Sequence, residues 1–112
     1  MVSSTYIPER GDLIWLNFNP PTGHEQAGQR PAIVLSPRKY NSRTDLLLAC
    51  PITSKIKGYP FEVAVEGERI NGVVLSDQVR CLDWRSRHAK LIEKSPENTL
   101  SAVQEKLLVL IQ

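Results

Sequence analysis

Little in these 112 residues marks an exported, membrane-bound or metal-dependent protein. Cysteine occurs twice, at Cys50 and Cys81, with no metal-ligand spacing to each other or to His24 and His88. A structural zinc is therefore not expected, and both thiols read as buried small hydrophobes. No apolar run approaches the ~20 residues needed to span a bilayer. The N-terminus has neither the charged nor the apolar block of a signal peptide, so the cytoplasm is the expected compartment. A glycine-rich phosphate loop and an adjacent Ser/His/Asp arrangement are also missing, and no cofactor is implied. Excess charge is scarce as well. The net charge of +2 does not announce a nucleic-acid partner as a strongly basic domain would.

What is present suits one soluble domain spanning residues 1–112, with 41% apolar and 23% charged residues. Basic residues cluster three times: Arg38, Lys39 and Arg43; Lys55 and Lys57; and Arg80, Arg85, Arg87, Lys90 and Lys94. Such clusters are solvated faces unless the fold assembles them into a phosphate footprint.

After an irregular lead-in through Pro8, residues 13–18 form the first expected strand, aromatic and apolar on both faces. Core on one side and another layer on the other would cover it, a second subunit being one candidate for that layer. Residues 31–37 give the next strand, its opening Pro31 tolerated because it need not donate to a ladder. A polar connection, 38–45, has room for one helical turn. Residues 46–52 make a third strand, which Thr53 leaves. Loop 54–60 holds both lysines of the second cluster and Gly58. Alternation over 61–65 marks a half-buried strand, 67–72 a turn, 73–82 a further strand, and 88–94 a last one. Then the period changes. Ser95 suits an N-cap, Pro96 the first helical position and Glu97 the first turn. Leu100, Val103, Leu107, Leu110 and Ile111 then recur on one helical stripe, expected to pack as core. The fold class is mainly β with a C-terminal α-helix, a strongly bent sheet or partly open barrel.

The stretch His24-Glu25-Gln26-Ala27-Gly28-Gln29-Arg30-Pro31 stands out. An imidazole, a carboxylate, amides and a guanidinium sit between two apolar strands, where loops held by a sheet carry binding and chemistry. Solvated hairpin polarity is the competing reading. The run from Gly11-Asp12-Leu13-Ile14-Trp15 through Glu25-Gln26-Ala27-Gly28 and Arg30-Pro31 to Val34-Leu35-Ser36-Pro37 resembles the MazF/PemK/Kid family of toxin endoribonucleases. Pro51-Ile52-Thr53-Ser54, Lys57-Gly58-Tyr59-Pro60-Phe61-Glu62-Val63 and Gly72-Val73-Val74-Leu75-Ser76-Asp77-Gln78-Val79 match in the same order, over nearly the whole chain.

The resemblance implies an SH3-like barrel that forms a homodimer. It also implies sequence-specific, metal-independent cleavage of single-stranded RNA to 2′,3′-cyclic phosphate and 5′-hydroxyl ends. A cognate antitoxin would neutralise the toxin with an acidic, disordered tail, and DNA would be contacted only indirectly, through that complex. Catalysis would fall to the residues matching the family's Arg and Thr, here Arg30 and Thr53. Such chemistry needs few parts, because RNA supplies its own 2′-OH nucleophile. The enzyme moves two protons and stabilises charge at phosphorus. A guanidinium fork matches phosphate oxygens, and a threonine hydroxyl donates to them. Arginine, with a side-chain pKa above about 12, is a poor proton acceptor.

The base is left among His24, Glu25 and Asp77. His24 titrates near about 6.5 when unperturbed, and a solvated surface imidazole is its competing reading. Plasmid-type relatives with a His here and an Asp matching Asp77 also have an Arg two residues before that Asp, where this chain has Leu75. Glu25 reads better as a positioning group, bonded to Arg30 or to a base edge. Gln26, Gly28, Ser36 and Gln78 are the expected contacts to unstacked RNA bases, and Lys55 and Lys57 to phosphate. The alternative is a binding module or gyrase-poison-like toxin of the same barrel class, acting by protein contact without RNA cleavage.

Overall fold

The computed structural model describes residues 5–17 and 28–112. In chain order the described elements are β1 (Asp12–Asn17), β2 (Gln29–Val34), α1 (Arg38–Thr44), β3 (Leu46–Thr53), β4 (Glu62–Glu66), β5 (Asn71–Leu75), β6 (Arg80–Asp83), β7 (Lys90–Lys94) and α2 (Glu97–Ile111). All pairings are antiparallel. The strands run β4-β5-β3-β2-β1-β7, with β6 also on β3, as one strongly curled sheet forming a half-barrel with a C-terminal helix.

Period-two alternation in β1 explains the curl. Leu13 points into a core with Ile33, Cys50, Val65, Val74 and Val103, whereas Ile14 and Leu16 point into another with Val34, Leu47, Leu82 and Trp84. Each such buried aliphatic contributes about 1.5–3 kcal/mol. The strand bends where the β1–β7 register shifts between Leu13 and Ile14. Both faces of β1 are thus covered, as its two apolar faces imply, and the second cover is this chain's own second core.

The lead-in is pinned to the sheet. Asp12 is fully buried, and its carboxylate accepts from the Tyr6 hydroxyl (2.5 Å), the Glu9 amide (3.0 Å) and the Lys94 ammonium (2.6 Å). Burial, then the bond to Asp12, pushes the Tyr6 phenol well above its ordinary value. The polar connection holds two turns of helix rather than one. Asn41 on α1 is buried; its amide donates to the carbonyls of Pro8 and Ser36, and its own carbonyl accepts the Trp84 indole N–H.

Other expectations are corrected. The strand expected over 73–82 is two strands, β5 and β6, separated by a turn. Cys81 is exposed on β6, so only Cys50 is a buried thiol. Ser95 makes no side-chain cap; Pro96 flanks the helix and Glu97 begins it. The end of α2 is not core either. Leu108 and Leu110 are about half exposed, and Val109 and Ile111 are 71% and 68% exposed, while Val103 alone of the apolar stripe is fully buried. Most of the third basic cluster serves the fold. Arg85 pairs with Asp45 and lies over the Trp84 ring, Arg87 donates to the Asn17 carbonyl, and Lys94 holds Asp12.

Candidate functional site

The break between β5 and β6 builds the site. Ile52 faces Val74, and Leu47 faces Leu82. Five steps back along β3 therefore use eight steps of its partner, so three residues are extruded from the ladder. They fall in the turn after β5, closed by the Gln78 amide on the Leu75 carbonyl at 3.1 Å. Bulges of this kind re-aim side chains beside active sites. Here the extruded segment holds Asp77 and Gln78.

Those two residues meet the end of β3 across a cavity of about 210 Å³, lined by Thr53, Lys55, Lys57, Tyr59, Phe61, Glu62, Leu75, Asp77 and Gln78. Five residues expected at a site from the sequence (Thr53, Lys55, Lys57, Asp77 and Gln78) line this one cavity. Thr53 is fixed on two sides. Its hydroxyl accepts the Lys55 amide at 3.1 Å, which leaves the hydroxyl proton free to be donated. Its carbonyl lies so near β5 that a Cβ on Gly72 would stand 2.4 Å from the oxygen. Only glycine allows that approach.

Arg30 is exposed near the start of β2 and does not line the cavity. It sits at the same end of the sheet as Thr53, because β2 begins where its antiparallel partner β3 ends, with Ala32 opposite Pro51. Gly28 is exposed just before β2. Ser36 is not a surface contact. It is buried, its hydroxyl donates to the Asn41 side-chain oxygen at 2.6 Å, and it accepts the Leu48 amide at 2.9 Å. Its assignment to RNA binding is therefore withdrawn. His24, Glu25 and Gln26 lie outside the described residues.

The reading from residue types missed Tyr59, Phe61, Glu62 and Leu75. An aromatic pair around Pro60, beside two lysines in a polar loop, was an available signal, since unstacked bases pack on exposed rings. Tyr59 is 60% exposed, with the Lys57 ammonium 5.8 Å from its ring centre. Behind the site, the Cys50 thiol is pushed up to about 12, first by burial and then by the Asp77 charge. It is a neutral packing group and no nucleophile. Among the described residues no three His, Cys, Asp or Glu side chains gather as a metal site, and no helix is long and apolar enough to cross a membrane.

A curled antiparallel half-barrel with lysines, aromatics and a held threonine at its strand ends defines a small barrel protein with a pocket suited to a polyanion. The chain belongs to the PemK-like, MazF-like toxins of type II toxin–antitoxin systems, whose family model matches residues 9–111. It is 47% identical over 108 residues to the endoribonuclease toxin MazF of Escherichia coli (strain K12), covering 96% of this chain and 97% of that one. It is similar to the crystal structure of MazF from Deinococcus radiodurans (52% identity, TM-score 0.85, 95% and 97% coverage). It is also similar to a chain in the MazE–MazF complex from that organism (48% identity, TM-score 0.85, 95% and 96% coverage).

Proposed function

We propose that this toxin is a sequence-specific endoribonuclease that cleaves single-stranded RNA without a metal, and that a cognate antitoxin neutralises it. The observation that carries this reading is the single cavity joining Thr53, Lys55, Lys57, Asp77 and Gln78, in a chain so similar to a protein named as an endoribonuclease. The substrate's 2′-oxygen attacks the adjacent phosphorus as the bond to the 5′-oxygen breaks. A base takes the 2′-proton and an acid protonates the leaving oxygen. The products are a 2′,3′-cyclic phosphate and a 5′-hydroxyl.

Arg30 stabilises the charge that builds on the non-bridging oxygens, which a permanently cationic fork suits. Thr53 donates its hydroxyl proton to the same oxygens, while one of its two lone pairs accepts the Lys55 amide. Asp77, His24 and Glu25 are the acid–base candidates. Lys55 and Lys57 hold flanking phosphates, and Gln78, Gln26 and the backbone at Gly28 read splayed bases. An acidic, disordered antitoxin tail would be drawn to the same cationic rim. The relative's MazE–MazF complex supports an antitoxin partner of this kind. The active form we infer is a homodimer in the cytoplasm, contacting DNA only through the antitoxin complex.

Purified protein incubated with a long single-stranded RNA in EDTA is expected to leave discrete 5′-hydroxyl ends. Arg30→Ala and Thr53→Ala should each lower the rate about 10²–10³-fold, the usual loss for one oxyanion-stabilising group. Absence of discrete cuts, or cutting by both variants as fast as by the unaltered protein, overturns the reading.

One observation favours a second reading, a toxin acting by protein contact: the exposed apolar last turn of α2. Under it, Val109→Ser with Ile111→Ser abolishes growth arrest, whereas Arg30→Ala and Thr53→Ala leave growth arrest intact.

A further inference from the structure

Loop 54–60 is exposed throughout, yet two successive amides at its centre are held by one side chain. The Glu62 carboxylate accepts the Lys57 amide on one oxygen at 3.1 Å and the Gly58 amide on the other at 3.0 Å. Successive N–H groups turned toward one anion form a cradle, and the chain achieves it here by reversing at Gly58, where φ is +81°. Glu62 is a firm anchor because it opens β4 opposite Leu75 on β5, and its own amide donates to the Tyr59 carbonyl at 3.1 Å. The Lys106 ammonium donates to the Pro60 carbonyl at 2.6 Å, tying the same loop to α2.

We propose that Glu62 is a positioning residue for RNA binding. Its carboxylate fixes the backbone of the 54–60 loop, so that Lys55, Lys57 and the Tyr59 ring meet the substrate already arranged. The proposal rests on the endoribonuclease reading above. It also explains a carboxylate in a pocket meant for a polyanion. Glu62 neutralises the cradle from inside, and the two ammonium groups remain for phosphate. Preorganisation of this kind lowers the ordering cost of binding and leaves the chemical step at Thr53 untouched.

Charge alone predicts the opposite sign. Removing a negative group from an RNA pocket should tighten binding; loosening the loop should weaken it. Glu62→Gln places an amide NH₂ against an N–H donor and breaks one arm of the cradle. Gly58→Ala leaves the pocket charge unchanged, and its Cβ meets nothing within 4 Å, so it acts only by disfavouring the backbone at φ +81°.

The test is steady-state cleavage of a short single-stranded RNA oligonucleotide carrying one mapped cut site. Both variants are expected to raise KM about tenfold with kcat within about twofold of the unaltered protein, the pattern of lost binding without lost transition-state contact. Amide hydrogen exchange supplies the second measurement: Lys57 and Gly58 should be protected in the unaltered protein and lose protection in Glu62→Gln. A lower KM in Glu62→Gln, an unchanged KM in both variants, or a loss confined to kcat overturns the proposal. Unprotected Lys57 and Gly58 amides in the unaltered protein overturn it as well. Failure of the unaltered protein to cut any RNA would instead overturn the parent reading, while exchange still reports whether Glu62 holds the loop.

Discussion

At the scale of single residues, polar groups divide sharply between those that hold the fold and those that face the pocket. Asp12 belongs to the first group. Asp12→Asn keeps one acceptor and turns an NH₂ toward a donor, which should cost about 1.5–3 kcal/mol, read from urea unfolding. Ser76 lies in neither group. It is fully buried and its hydroxyl has no hydrogen-bond partner. Ser76→Ala therefore removes a desolvated hydroxyl and should leave stability unchanged or raise it by up to about 1 kcal/mol. Gly72 acts through Thr53, whose carbonyl it lets approach β5. Gly72→Ala should lower cleavage at least tenfold with a stability loss of about 1–3 kcal/mol, the cost of forcing extra atoms into a packed site.

At the scale of elements, strands and helix were largely legible and their boundaries with function less so. Alternation in 61–65 and the stripe in α2 follow from side-chain period, which a sequence displays directly. The break between β5 and β6 does not. Residues 73–82 read as one strand because both halves lie along the same edge of β3, and the extruded turn is a property of the partner's register. Ser36 misled for a related reason: its hydroxyl is a strand-end polar group in sequence and a buried link to Asn41 in space. Arg30 and Thr53 stand out only through the family pattern, since no local signal sets either apart from other polar residues at strand ends.

The β4–β5 turn gives a pH prediction at this scale. Glu93 on β7 accepts the amides of Glu68, Arg69 and Ile70, and these bonds, Arg69's first, hold its carboxylate below the ordinary range. Because the folded-state value is the lower one, the stabilisation is present above the unfolded-state value and is lost as pH falls through the folded-state one. Thermal unfolding followed from pH 7 to pH 3 should show a shallower acid limb in Glu93→Gln than in the unaltered protein.

At the scale of the whole molecule, a net charge of +2 concealed a local concentration of positive groups at one end of the sheet. The fold gathers Lys55 and Lys57 there, at the end where β2 carries Arg30, while Lys94 and Arg85 are engaged in ion pairs with Asp12 and Asp45. RNA affinity should then fall with salt in proportion to a few phosphates. About three contacts on a single strand give a log–log slope near −2, and Lys57→Ala should reduce that slope by about 0.7. Fluorescence titration of a labelled oligonucleotide between low and moderate salt checks both values.

The turn extruded between β5 and β6 belongs to no ladder, so its length and composition are set apart from the hydrogen bonding that keeps the half-barrel closed. On the proposed reading, a library built at Gln78 and Val79 should vary what this protein reads while β3 keeps its partners on either side. Insertions there should be tolerated where insertions four residues earlier would unpair the sheet. On that reading the barrel separates heritable change in target choice from the risk of unfolding, and a selection for new cleavage sequences should return its changes in that short segment first.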